Sequence, residues 1–191
     1  MFGQYSFGEA VHNGICLVYT KVRFRTARLI RLPFYLRNNG GHFSYGRGLT
    51  VGYSCRFDIG EGAYLSLGKN CKLNDRVHLV AHQSLTIGDN ALFASNIFVT
   101  DTSHGDFSSD NTDPSIAPGD RPLVSAPTSI GNNVWVGEGV CILPGVTIGD
   151  GCTIGANAVV TKSFPANTVI AGVPARALKS WDSNKRAWEV V

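Results

Sequence analysis

Between Ile130 and Thr161 the chain reads IGNNVW VGEGVC ILPGVT IGDGCT IGANAV VT, and each block of six opens on an aliphatic residue: Ile130, Val136, Ile142, Ile148, Ile154 and Val160. Gly131, Gly137, Gly149 and Gly155 follow four of these heads, and the fifth place holds Val134, Val140, Val146, Cys152 or Ala158, all small or β-branched. A helix cannot gather this pattern, because at about 3.6 residues per turn a period of six spreads the heads around the cylinder. Short strands joined by corners can. Each head then points inward, glycine relieves crowding where the chain bends, and three blocks close a triangular coil. Stacked coils bury a continuous apolar axis and pair parallel strands from coil to coil. The pattern predicts an all-β chain wound as a parallel β-helix.

Upstream, heads at Val51, Phe57, Ile59, Leu65, Leu67, Leu73, Leu79, Leu85, Ile87, Phe93 and Val99 run in sixes broken by jumps of two. The jumps read as widened corners, which face solvent and tolerate extra residues. The rhythm then stops over residues 101–128, a stretch rich in Ser, Asp, Gly and Pro, and resumes at Ile130. So long an insertion in so regular a stack is expected to lie over an active site. The organisation expected is a basic, partly helical cap over 1–48, the β-helix over 49–175, and a short amphipathic helix over 176–191 with Leu178, Trp181 and Trp188 packed down. In the cap, spacing allows a helix from about Val11 to Arg31, ended by Pro33.

Charge is distributed unevenly. From Ala10 to Phe57 there is no Asp or Glu, yet Lys21, Arg23, Arg25, Arg28, Arg31, Arg37, Arg47 and Arg56 all fall there, so the rest of the chain is net acidic. One end should be electropositive. Capping the solenoid is its first expected role, and contact with an anionic membrane face or a lipid-linked glycan is the second. Nucleic acid is not expected, since no reading motif accompanies the charge. With no apolar run long enough to span a bilayer and no clear signal peptide, a cytoplasmic location is expected, at most peripheral to the inner membrane face. Five cysteines without a CxxC pair argue against a disulfide framework or a zinc ribbon, and Cys55, Cys71 and Cys152 fall in the small fifth place as buried thiols.

His104 stands where the coil gives way to the long insertion, and imidazole titrates in the range a general base needs. There is no Walker loop, no GxGxxG after a strand, no GxSxG elbow, and no partner arrangement that would make a cysteine a nucleophile. Direct attack is therefore expected rather than a covalent acyl-enzyme.

The hexapeptide blocks, the NNVWVG run at Asn132 to Gly137, and Asn96 eight residues before His104 resemble the hexapeptide-repeat acyltransferases. Within them the chain looks like the galactoside, maltose and polysaccharide O-acetyltransferases, and its RLIRLPFYLR segment looks like the leading segment of O-antigen, capsule and exopolysaccharide enzymes. The resemblance implies left-handed coiling, a homotrimer with each site built from two subunits, and acetyl transfer from acetyl-CoA to a sugar hydroxyl with no metal required. It implies His104 as general base and Asn74, His82 and Asn96 on the acceptor side. It puts Trp135 beside the acetyl-CoA arm, the Glu138 backbone amide near the thioester, Ala156 and Thr161 along the pantetheine, and Lys162 and Arg176 toward the nucleotide phosphates.

His82 departs from the galactoside pattern, which has an acceptor-binding aspartate there, so the identity of the acceptor stays open. An amine of a nucleotide-linked amino sugar, the hydroxyl of serine or a small antibiotic, and a non-enzymatic structural β-helix are the other readings. The γ-class carbonic anhydrases share the β-helix, but His78, His82 and His104 match their zinc ligands in neither order nor gaps.

Overall fold

The computed structural model describes residues 6–107 and 112–191. Strands stack into three parallel sheets that wall a triangular solenoid. The first sheet runs from Leu29–Ile30 through Thr50–Val51, Lys72–Leu73, Leu92–Phe93, Trp135–Val136 and Thr153–Ile154 to Thr168–Gly172. The second runs from Phe34–Asn38 through Cys55–Ile59, His78–Ala81, Phe98–Thr100 and Cys141–Ile142 to Val159–Val160. The third holds His42–Tyr45, Tyr64–Leu67, Ser84–Ile87, Thr128–Ile130 and Thr147–Ile148.

The heads stack in register: Leu73 beside Phe93, Val136 and Ile154 in the first sheet, and Leu79 beside Val99, Ile142 and Val160 in the second. All of them are buried, as are the fifth-place residues. Each such aliphatic side chain contributes about 1.5–3 kcal/mol by leaving water.

Three expectations are corrected. The jumps of two are not widened corners. Phe57 and Ile59 lie in one strand, as do Leu65 and Leu67, and Leu85 and Ile87. A step of two keeps a side chain on the same face of a strand, so these are longer strands with two inward residues.

The coils also begin earlier than Leu49. Leu29–Ile30 pairs with Thr50–Val51, and Phe34–Asn38 with Cys55–Ile59, so much of the expected cap is the first coil. Aromatic rings fill its interior where aliphatic heads fill the others. Phe34 meets Phe57 edge-on at 5.0 Å and Phe24 at 5.9 Å, which hid the six-residue period. The helix before it, α1, spans Phe7–Arg23, opens on a Ser6–Glu9 capping box and stops at Phe24, well short of Pro33.

Finally, the C-terminal segment is not helical. Ala175–Asp182 runs back antiparallel along Thr168–Gly172, and Ala187–Val190 pairs on it in turn. The last strand of the stack would otherwise offer an open edge, and pairing there outweighs local propensity. Trp181 and Trp188 face each other across the hairpin, edge to face at 5.5 Å, and both stay partly exposed rather than packed down.

Corners repeat one hydrogen-bond device. Asp89 Oδ1 accepts the Lys69 N–H at 2.7 Å, Asn132 Oδ1 accepts that of Asp89 at 2.8 Å, and Asp150 Oδ1 accepts that of Asn132 at 2.7 Å. Beside them Asn90 and Asn133 take left-handed backbone at φ 59° and 56°, a conformation asparagine tolerates better than most residues.

Candidate active site

In the strands Cys55–Ile59 and His78–Ala81 the inward residues are Phe57, Ile59, Leu79 and Ala81, so alternation puts Arg56, Asp58, His78 and Val80 together on the outer face. Register sets Arg56 beside His78 and Arg37 beside Asp58. Asp58 Oδ2 accepts from Arg56 Nε at 2.8 Å and lies 2.9 Å from His78 Nε2, while Arg56 Nε is 3.0 Å from the same ring nitrogen. One nitrogen cannot both donate to Asp58 and accept from Arg56. The carboxylate is the stronger acceptor, so we assign His78 the Nε2–H tautomer. Burial lowers the His78 pKa below the ordinary imidazole value, and its bond to Asp58 opposes that. Asp58 Oδ1 is buried without a hydrogen bond among the described residues, with Arg37 Nε 3.9 Å away.

Arg37, Arg56 and Asp58 of this cluster floor a cleft of about 530 Å³. Asn39, Gly60 and His82 form one wall at the corner between the second and third sheets, and Thr102, His104 and Leu123 form the other. Those last three belong to the root of the long insertion, where Thr102–His104 pairs antiparallel with Leu123–Ser125 and His104 sits opposite Leu123. His104 is exposed on the rim. The chain turns immediately after it at Gly105, at φ +105°, where an added Cβ would lie 2.7 Å from Thr112 Cγ2. Only glycine fits there without strain.

Asp101 anchors both walls. It is fully buried, and its carboxylate accepts the N–H groups of His82 at 2.8 Å, Gln83 at 2.8 Å and Ser84 at 2.7 Å. Its carbonyl accepts from Ala126 N at 2.8 Å, closing the base of the insertion. One side chain thus fixes the backbone that carries His82 and, three residues before His104, the start of the strand that carries it.

The expected site residues divide between two corners. His82 and His104 meet in the cleft, and Thr161 and Lys162 follow the last strand of the second sheet at that same corner, with Lys162 Nζ 5.7 Å from the centre of the Phe164 ring. Asn74, Asn96, Glu138 and Ala156 sit at the opposite corner, between the first and second sheets. There Asn96 accepts from Arg76 Nε at 2.6 Å and donates to Glu138, whose other oxygen accepts from Ser95 N at 2.9 Å. These two side chains thus serve the corner ladder. Trp135 stands about half exposed on the first sheet beside that corner, and Arg176 is exposed on the C-terminal hairpin. Within one chain the second group does not line the cleft.

Among the described residues, no three His, Cys, Asp or Glu side chains converge as metal ligands, and His78 is committed to Asp58. The thiols of Cys55, Cys71 and Cys152 are buried in the stack, and desolvation pushes that of Cys55 up to about 11, far from nucleophilic at neutral pH. Sequence reasoning does not single out Arg37, Arg56, Asp58 or Asp101 for the site. The alternation around Phe57 is the signal that could gather Arg56 and Asp58; for Arg37 and Asp101 there is none short of the register.

The family description "Bacterial transferase hexapeptide (six repeats)" matches residues 127–162. The Escherichia coli (strain K12) protein named "Putative lipopolysaccharide biosynthesis O-acetyl transferase WbbJ" is 42% identical over 175 residues, covering 91% of this chain and 89% of its own length. The chain belongs to the hexapeptide-repeat acyltransferases. Galactoside O-acetyltransferase of the same organism is 40% identical over 118 residues, which are 62% of this chain and 55% of that protein.

Among solved structures, a galactoside acetyltransferase in complex with coenzyme A is 26% identical and covers 100% of this chain and 90% of its own, with a TM-score of 0.50. The S84T mutant of AntD, an N-acyltransferase from Bacillus cereus in complex with dTDP and coenzyme A, is 22% identical, covers 95% and 91%, and has a TM-score of 0.71. At that identity the second likeness carries the fold alone. The solenoid of this hexapeptide-repeat acyltransferase is the left-handed parallel β-helix of its family.

Proposed function

We propose that this acyltransferase moves acetyl from acetyl-CoA to a sugar hydroxyl of a bacterial surface-polysaccharide precursor, with His104 as general base. The observation that carries the reading is His104 exposed on the rim of a cleft of mixed polar and apolar lining, across from His82 and above two arginines and a carboxylate. The acceptor hydroxyl oxygen attacks the thioester carbonyl carbon as His104 takes its proton. A C–O bond forms, and a backbone N–H, that of Glu138 by resemblance, faces the oxyanion. The C–S bond then breaks, and the imidazolium returns its proton to the departing thiolate.

Arg37 and Arg56 outweigh Asp58 in charge, so the cleft favours an acceptor bearing an anionic group, such as the phosphate of a lipid-linked or nucleotide-linked sugar, over a free disaccharide. The 42% identity over most of both chains to WbbJ supports the polysaccharide setting. The division of the expected residues between two corners supports a homotrimer in which the Trp135–Glu138 corner of one subunit faces the His104 cleft of the next, with Thr161, Lys162 and Arg176 along the cofactor. A cytoplasmic site of action follows from the use of acetyl-CoA.

Thiol release from acetyl-CoA is the test, run with free, nucleotide-linked and lipid-linked sugars. Acceptor-dependent release that falls at least about a hundredfold in His104→Ala is the expected result, since general-base catalysis contributes about 10²–10⁴-fold. Equal rates in the two proteins would remove His104 from the mechanism. A product stable to mild alkali would be an amide, and would move the reaction to an amino sugar.

A further inference from the structure

Helix α1 is inside out. A surface helix ordinarily turns its apolar stripe to the core and its polar side to water. Here the inward side is polar. Thr20 Oγ1 accepts the Ile30 N–H at 2.8 Å, Cys16 Sγ accepts that of Leu32 at 3.2 Å, and His12 Nε2 lies 3.0 Å from the Leu32 carbonyl. These side chains cap the free edge of the first strand of the stack. The outward side carries Phe7, Val11, Ile15, Val18 and Val22, spaced at four, four, three and four, which places them on one face. Their exposure runs from 50% to 86%. A shallow apolar groove of about 620 Å³ follows Val11, Gly14, Ile15 and Val18.

Cations gather at one end of this stripe. Lys21, Arg23, Arg25 and Arg28 are exposed at the end of the helix and in the segment that follows, and among the described residues none of the four pairs with a carboxylate. Arg28 lines a second groove with Leu17 and Leu29, so a guanidinium and apolar surface share one depression. No helix of the described residues is long and apolar enough to cross a membrane.

We propose that α1 lies in the plane of an anionic bilayer surface, its outward apolar stripe among the acyl chains and Lys21, Arg23, Arg25 and Arg28 at the headgroups. An apolar face with cations at its margin matches that boundary, and only a negatively charged surface is complementary to four cations without a carboxylate among them. Because α1 covers the end of the solenoid, the cleft stands along the side of the stack and stays open to solvent while the end is seated. The inference rests on the helix alone and not on the acetyl-transfer reading.

Sedimentation with vesicles of phosphatidylcholine, with and without about 30% phosphatidylglycerol, tests it. Wild type should bind the anionic vesicles, and binding should weaken at least about fivefold as salt rises from about 50 to about 300 mM, because charges near the surface are screened over about a Debye length. Ile15→Asp with Val18→Asp should lose at least about tenfold in binding, and Arg23→Glu with Arg25→Glu should lose binding together with its salt dependence. Both variants remove exposed side chains, and circular dichroism should leave their strand signal unchanged.

Wild type that ignores anionic vesicles overturns the proposal, as does an aspartate pair that binds like wild type. If instead the aspartate pair breaks an oligomer while wild type does not bind vesicles, a second copy of this chain covers the stripe. Thiol release in solution is read separately, so a failure here leaves the reaction untouched, and the converse holds.

Discussion

Asp101 organises a cleft into which its side chain does not reach. Its carboxylate takes three backbone N–H groups in one turn, and its backbone closes the base of the insertion, so the positions of His82 and His104 depend on one buried acid. In Asp101→Asn an NH₂ replaces one oxygen and leaves at least one of those part-buried N–H groups without its acceptor. The expected loss is about 1–3 kcal/mol, read as a lower urea midpoint. We expect the rate of thiol release to fall as well, with wild-type acetyl-CoA affinity retained, since the change loosens the walls that carry the two histidines. His104 itself is exposed on the rim, and its substitution should affect rate with little effect on stability.

At the level of elements, the two ends of the stack solve one problem by different means. The last strand of the first sheet is covered by another strand, and the first is covered by the side chains of a helix. Thr20 is the centre of the second solution, fully buried, donating to the Cys16 carbonyl at 2.6 Å and accepting from Ile30 N. Thr20→Val preserves the shape and removes the acceptor. We expect about 1–3 kcal/mol of destabilisation in urea with an unchanged denaturant slope, because the Ile30 N–H is left unpaired at a site water does not reach. The hairpin at the other end explains why local pattern points wrongly to a helix there. Ala175–Asp182 lies between Thr168–Gly172 and Ala187–Val190, so the strand edge and the hairpin set its conformation over any helical spacing.

For the whole molecule, the thiols placed along the stack act as one titrating set. Desolvation raises the pKa of Cys71, Cys141 and Cys152, and that of Cys55 from 9.0 to about 11. The folded state therefore holds thiol protons that the unfolded chain gives up. Stability from this source is complete below the unfolded value of about 9 and is lost as pH rises through about 11. Urea midpoints should hold level between about pH 7 and 8.5 and fall from about 9 upward. Cys55→Ala should flatten that fall, since alanine already fills the equivalent place at Ala158. A midpoint that stays level to pH 11 in wild type would mean the thiols are hydrated in the native state.

The repeat from Ile130 to Val160 determines the architecture on its own, because a period of six with inward aliphatic heads has few physical solutions other than a coil of short strands. Most heads upstream are legible for the same reason, and His104 is legible as the residue where the rhythm breaks. Other features depend on partners distant in sequence. Arg37, Arg56 and His78 meet at Asp58 only because three coils stack in register, and Asp101 finds His82 only because the insertion starts one coil above that corner. The early start of the coils is masked by phenylalanine in place of aliphatic heads. The inverted face of α1 is beyond composition altogether: sequence reveals that a helix has an apolar side, but the strand edge it caps decides which side turns inward.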